Sequence, residues 1–279
     1  MLADKALRDL FIEKRVVASL QFDGFKEETY VTLRGRPLLA TKMALISLFE
    51  KEDLPYSLTA VMVRGVNEAE IPALADFFFE AKAVSLMIQP AAIVGRAGLN
   101  FTPQERLTND EVVTSLETSK YIAAGDVLPL ACSHPSCAAS AYYFKIAADR
   151  FLSLKEFLGF EEYLKVTANR SFPGLDQEGQ LAIKDKIYDL WSKMSPSSED
   201  RAILEKVRLW LKRLEGREFT PREGFDLGRE TVKSVFVHGF MDPYCLDLNR
   251  LVKCCYHYLQ ANGRLVPMCA HNLNLSKSQ

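Results

Sequence analysis

Three β-branched apolar runs in the first hundred residues, each followed by a stretch with helical spacing, constrain this chain more than any other feature. Arg15 to Phe22 (RVVASLQF) reads as a buried strand that stops at the Asp23-Gly24 turn signal. Leu39, Met43, Ile46 and Phe49 then fall on one helix face. Ser57 to Val63 (SLTAVMV) is the second strand, closed by Gly65, and Asn67 with Glu70 three residues on predicts a helix start with Asn67 as its cap. Ile71, Leu74 and Phe78 line that helix, and Val84 to Gln89 (VSLMIQ) is the third strand, broken by Pro90. Strands alternating with helices of this length predict parallel βα units in an α/β fold. Three such units are too few to close a barrel on their own.

Near residue 100 the pattern changes, and a domain boundary is placed there. Phe101 to Ser119, Leu152 to Leu164, Leu181 to Met194 and Ile203 to Leu214 all have helical spacing. Ser195-Pro196-Ser197-Ser198 separates the last two, with Ser198 as a cap. The expectation is α/β for 1–100 and mostly helical for 101–279. A hydrophobic content of 48% and a charged content of 25% suffice for a large core without disulfides. A formal net charge of −1 gives no global field to attract nucleic acid or an anionic membrane. Met1 to Lys14 mixes charge with Leu7, Leu10 and Phe11 at helical spacing, which is not a secretory leader. No apolar run reaches the roughly 18 residues a membrane span needs. The expected compartment is the cytoplasm, where cysteines stay reduced.

The chemistry-bearing residues are bunched. All six cysteines and all four histidines lie in two segments. The first is Cys132-Ser133-His134-Pro135-Ser136-Cys137, a short loop stiffened by Pro135. The second runs from His238 to His271 and holds Cys245, the adjacent pair Cys254-Cys255, His257 and Cys269. Adjacent cysteines on a regular element point in different directions, so Cys254 and Cys255 could serve two centres, or one a ligand position and the other a packing position. Soft thiolates in a reducing compartment favour an iron–sulfur cluster or zinc. Against that stands the commoner role of a free cysteine as a small buried hydrophobe.

These residues carry a family resemblance. Leu20-Gln21-Phe22-Asp23-Gly24-Phe25 with Leu33-Arg34-Gly35-Arg36 and Lys42 resembles the fourth strand and following turn of radical S-adenosylmethionine (SAM) barrels. Val61-Met62-Val63-Arg64-Gly65-Val66-Asn67 with Glu70 resembles the fifth strand, and Ile88-Gln89-Pro90 with Gly95-Arg96 the sixth. The Cys132–Cys137 loop, His238-Gly239-Phe240-Met241-Asp242, Cys254-Cys255-Tyr256-His257 and Gly263-Arg264-Leu265-Val266-Pro267-Met268-Cys269 resemble the branch containing tetraether lipid synthases and pterin methyltransferase-like enzymes.

The resemblance implies a partial, half radical SAM βα barrel over 1–100 (strands four to six) and a helical C-terminal domain over 101–279 holding an auxiliary 4Fe–4S cluster. It implies metal ligation by Cys132, Cys137, Cys254, Cys255 and Cys269, and less clearly by Cys245. It places Gln21 and Asp23 against the SAM ribose, Arg34 against the SAM carboxylate, and Asn67 and Gln89 at the other two strand ends, where barrel sites gather. The bland roles of Asp23 and Asn67 are turn and cap. Members of the family cleave SAM with a cluster held by a CxxxCxxC triad, and no CxxxCxxC occurs here. The expected function is part of an enzyme acting on unactivated carbon, by methylation or carbon–carbon bond formation. It would be inactive alone or completed by a partner chain bringing the triad. The alternatives are a non-enzymatic zinc- or cluster-binding module and a non-functional gene fragment.

Overall fold

A computed structural model of the chain describes residues 4–14, 16–95, 97–130, 134–168 and 228–273, with Asp185, Ser192, Glu205, Leu209 and Lys212 besides. The helices expected over 181–194 and 203–214, the linker between them and the Ser198 cap lie outside the described residues apart from those single positions. So does Cys132.

The strands β1 (Ala18–Gln21), β2 (Tyr56–Met62), β3 (Ser85–Pro90), β4 (Leu128–Pro129), β5 (Ala138–Lys145), β6 (Phe151–Ser153) and β7 (Val232–His238) form one mixed sheet in the order β1-β2-β3-β7-β5-β4, with β6 on β5. The first three are parallel, with Leu20 opposite Leu58 and Leu58 opposite Leu86. β4–β5 and β5–β6 are antiparallel. The three βα units read from the sequence are therefore present as a parallel sheet with its crossover helices. Beyond residue 100 the described residues form strands as well as helices. There, short runs such as Ala139-Ser140-Ala141-Tyr142-Tyr143-Phe144 bury nearly every side chain, which leaves no alternation for a periodicity test to find.

The chain divides into two compact units. The first, Met1–Ser140 with Val235–Gln279, holds β1–β3 and their helices α1 (Lys5–Lys14), α2 (Glu27–Arg34), α3 (Leu39–Lys51) and α4 (Ile71–Glu80). Its core is built on strand alternation. Leu58, Ala60 and Met62 on β2 and Leu86 and Ile88 on β3 are wholly buried, as are Leu74 and Phe78 of α4. Each such aliphatic or aromatic side chain contributes about 1.5–3 kcal/mol by leaving water. Phe77, the first of a Phe77-Phe78-Phe79 run, stacks on Phe22 at 5.5 Å between ring centroids, so the run packs the helix rather than facing solvent.

Within the stretch expected to be helical from 101 to 119, only α6 (Asn109–Leu116) is α-helix, after the short α5 (Ala97–Asn100). Pro103 stops a longer helix, and a capping box starts α6: the Thr108 hydroxyl accepts from Glu111 N–H and the Glu111 carboxylate accepts from Thr108 N–H. The unit closes with the hairpin β8 (His257–Leu259) and β9 (Leu265–Pro267) around the Asn262-Gly263 turn.

The second unit, Ala141–Ser234, includes β6, α7 (Leu154–Leu158) and α8 (Phe160–Thr167) among its described residues. Its core joins Tyr142 to Tyr163 and Phe144 to Phe157. No helix among the described residues is long and apolar enough to cross a membrane.

Candidate functional site

The carboxyl ends of β1 and β2 converge on Asp23. Its carboxylate is completely buried and accepts from Arg34 Nε and Nη2, both at 2.9 Å, and from Val61 N–H at 2.9 Å. The paired contact is the fork geometry that a guanidinium offers a carboxylate. Gln21, with its amide oxygen turned toward Arg34, accepts from the same guanidinium. Lys42 of α3 adds another cation. Burial lowers its pKa from the ordinary lysine value, while the Asp23 charge opposes that effect and Arg34 and Arg36 reinforce it.

Asn67 does not cap the helix that follows it. Its side chain instead accepts from Val63 N–H at 2.9 Å and donates to the carbonyls of Asp23 (2.7 Å) and Val61 (2.9 Å). These buried strand-end groups have no water to satisfy them, so the amide is worth more there than at a helix end reached by solvent. Glu70 completes the clamp: it accepts from Phe25 N–H at 2.5 Å and Thr29 Oγ1 at 3.0 Å. Tyr30 donates to Gly24 O at 2.9 Å, and burial, assisted by the nearby Asp23 and Glu70 charges, pushes its phenol well above the usual range. Gln89 at the end of β3 donates from its side-chain amide to Met87 Sδ at 3.4 Å and does not join this network among the described hydrogen bonds. Of the five predicted cofactor residues, the structure thus brings Gln21, Asp23, Arg34 and Asn67 into one hydrogen-bonded network.

A second group lies at the other loops of the same unit. Cys137 closes a tight turn by donating its N–H to His134 O at 2.8 Å, and its Sγ lies 3.9 Å from His238 Nε2. Burial alone pushes this thiol up, but His238 and Arg250 outweigh it and bring it to about 7. Cys269 on α10 (Met268–Asn272) accepts from Met241 N–H at 3.5 Å. Burial raises its pKa, and Arg250, Cys254 and Cys137 all act on it electrostatically. Three predicted sulfurs, those of Cys137, Cys254 and Cys269, therefore share one neighbourhood with His238 and Arg250. Cys245 lies on the turn where Asp242 N–H donates to its sulfur at 3.3 Å, and burial raises its pKa. Cys255 is exposed whereas Cys254 is half-buried, as expected of neighbours pointing apart.

Several supports were not read from the sequence. Asn109, at the start of α6, donates to Ser136 O (3.1 Å) and Cys137 O (3.5 Å), and Gly239 N–H donates to Cys137 O at 3.2 Å. A Cβ on Gly239 would stand 2.5 Å from Asn109 Oδ1, so the backbone approaches here only because residue 239 has no side chain. Arg250, on α9 (Leu248–Leu251), donates from Nη2 to Gly239 O. Asp242 is fully buried and accepts from Ile93 N–H at 3.1 Å and Tyr244 N–H at 2.9 Å. Gly239 and the Asp247 cap of α9 were the available local signals. The pairings of Gly239 with Cys137 and Asn109, and of Asp242 with Ile93, join residues more than a hundred positions apart, which spacing does not encode.

The donor chemistry of Cys137, Cys254 and Cys269 suits a thiolate-held centre. Among the described residues, however, no three His, Cys, Asp or Glu side chains form a group that would hold a metal ion. As placed, the described side chains do not by themselves make a ligand shell.

No family model matches the chain. It is similar to the 7,8-dihydro-6-hydroxymethylpterin dimethyltransferase of Methanocaldococcus jannaschii, with 25% identity over 298 residues. The match covers 91% of this chain and 55% of that relative, so the chain spans about half the relative's length.

Proposed function

We propose that this chain is part of a radical SAM, iron–sulfur enzyme that alkylates an unactivated carbon of a small molecule, with methylation of a pterin-like compound the favoured reaction. The observation that carries this reading is the likeness to a pterin dimethyltransferase along nine-tenths of the chain. The Asp23–Arg34–Gln21–Lys42 group at the strand ends supports it, because parallel βα folds place ligands at the carboxyl ends of their strands. In this reading SAM supplies the carbon group. Arg34 and Lys42 provide cations facing its carboxylate end, and Asp23 holds Arg34 in place. Cys137, Cys254 and Cys269, with Cys132, Cys255 and Cys245 as further thiols, hold an auxiliary cluster once the shell is complete. The SAM-cleaving cluster needs a CxxxCxxC triad, which does not occur in these 279 residues, so in this reading they are inactive alone or completed by residues that bring the triad.

Anaerobic reconstitution with iron and sulfide tests the reading. The expected product is brown, holds about four irons per chain and binds SAM in a calorimetric titration. Colourless protein without iron would overturn it. The absence of the triad also favours a second reading, a non-enzymatic metal-binding module. Zinc at stoichiometric amounts with no SAM binding is its signature.

A further inference from the structure

We propose that Arg250 is a positioning residue of the thiol-bearing centre: its guanidinium braces the backbone that carries Cys137, and its charge raises the reduction potential of the iron those thiolates hold. This rests on the function proposed above and gives a role at the same site to a residue that is not a metal ligand.

The geometry aims Arg250 at the backbone of the site. Asp247 caps α9, its carboxylate accepting from Asn249 N–H at 2.9 Å and from Arg250 N–H at 3.4 Å. That cap fixes the turn from which the Arg250 side chain leaves. Its Nη2 donates to Gly239 O. Gly239 N–H in turn donates to Cys137 O at 3.2 Å. One guanidinium thus holds the residue that follows His238 at the end of β7, and through it the carbonyl of Cys137.

The cation has no carboxylate to answer it. Among the described residues no Asp or Glu stands within ion-pair distance of Arg250. The side chain is half-buried, and its Nε is fully buried without a hydrogen-bond partner among the described residues. A charge drawn out of water without a counter-charge is costly, and a guanidinium does not shed its proton to escape that cost. The groups on which its charge acts are the thiols of Cys137 and Cys269. Both become anions when they bind a metal, which gives Arg250 the counter-charge it lacks.

The consequence for the centre is electrostatic. Thiolates load negative charge onto the iron they hold and oppose the arrival of an electron. A fixed cation beside them offsets that charge and favours the reduced form, so the potential rises. The unpartnered Nε is a donor for sulfur, and hydrogen bonds to sulfur are among the factors that set such potentials.

The full chain and its variants Arg250→Lys, Arg250→Gln and Arg250→Met are reconstituted anaerobically with iron and sulfide. Their potentials are read by redox titration with electron paramagnetic resonance. Arg250→Lys keeps the charge and should stay close to the wild-type potential. Arg250→Gln keeps a donor for Gly239 O without the charge, and Arg250→Met keeps neither. Both should shift to more negative potential by about 59 mV or more, a tenfold change in a one-electron equilibrium. Arg250→Gln carries the test if Arg250→Met fails to fold, as judged by the urea midpoints of the metal-free proteins. A merely structural role would lower the iron content and leave the potential of the loaded fraction where it was, and that result overturns the proposal. So does an equal shift in Arg250→Lys and Arg250→Gln. Brown protein with an unmoved potential removes Arg250 and leaves the enzyme class standing. Wild-type protein that takes up no iron sinks the enzyme class and this role together.

Discussion

Arg34 grips Asp23 through two N–H···O bonds of equal length, 2.9 Å each, and the two partners differ sharply in exposure: the Asp23 side chain is wholly buried while that of Arg34 keeps 27% of its surface in contact with solvent. That asymmetry decides which loss is worse. In Arg34→Met the buried carboxylate loses its paired hydrogen bonds and keeps Val61 N–H and the nearby Lys42 charge, a situation costing about 3–5 kcal/mol. In Asp23→Asn the guanidinium turns to water, and the cost falls to about 1–2 kcal/mol. The double variant should lose less than the sum of the two. Urea unfolding of the three proteins measures this, and strictly additive losses would show that the pair is not coupled.

Gly24 and Glu70 form a second tight pair. A Cβ at residue 24 would lie 2.7 Å from Glu70 Oε1, at a backbone φ of 153° that side chains rarely adopt. Gly24→Ala should therefore cost about 2 kcal/mol. Truncating Glu70 as well removes the clash but also the contacts to Phe25 and Thr29. A double-mutant cycle should show coupling above about 0.5 kcal/mol.

Cys137 gives the clearest pH dependence. Its thiol sits near 7 in the folded chain, against 9.0 for an unperturbed cysteine, because His238 and Arg250 together outweigh burial. A lowered pKa stabilises the folded state fully at pH values above the unfolded pKa, and the gain is lost as pH falls through the folded pKa. The metal-free protein should thus become more stable between about pH 7 and pH 9 through this group. Rates of iodoacetamide alkylation, read by peptide mass spectrometry, should have their midpoint for Cys137 near 7, with Cys269 and Cys245 titrating higher. Arg250→Met should raise the Cys137 midpoint. An unchanged midpoint would remove Arg250 from the explanation.

The loop carrying Cys137 depends on a contact between Asn109 and Gly239. Gly239→Ala pushes a methyl group against Asn109 Oδ1, and the Asn109 side chain must turn away from Ser136 O and Cys137 O or the loop must move. A loss of about 1–3 kcal/mol is expected, together with faster hydrogen exchange at Gly239 N–H, which donates to Cys137 O. Asn109→Ala should cost about 1 kcal/mol, because two weak donations to carbonyls are lost. Equal exchange rates in wild type and Gly239→Ala would contradict the close approach.

Much of the first hundred residues was legible because strand and helix leave different periods. Leu58, Ala60 and Met62 alternate inward, and Ile71, Leu74 and Phe78 repeat on one helix face. The gathering of cysteines and histidines along the sequence was equally visible, as was the position of Asp23 at a strand end. Asn67 was misjudged as a cap because its local spacing is that of a helix start. The deciding partners, Asp23 O and Val61 O, are brought by the neighbouring strand end. Beyond residue 100, β5 was missed because a nearly fully buried run carries no alternating pattern, and β4, β6, β8 and β9 because two or three residues are too few to show one.

Local order along the chain was enough to determine which segments become strands and helices in the parallel half, since apolar spacing alone dictates which face leaves water. Which polar groups meet was decided only by the tertiary fold. Arg250 beside Cys137 and Cys269, Asn109 against Gly239, and Glu70 over Gly24 all pair residues from distant parts of the chain. A hydrogen bond or charge contact depends on separations of about 3 Å, and those distances are set by packing rather than by sequence interval.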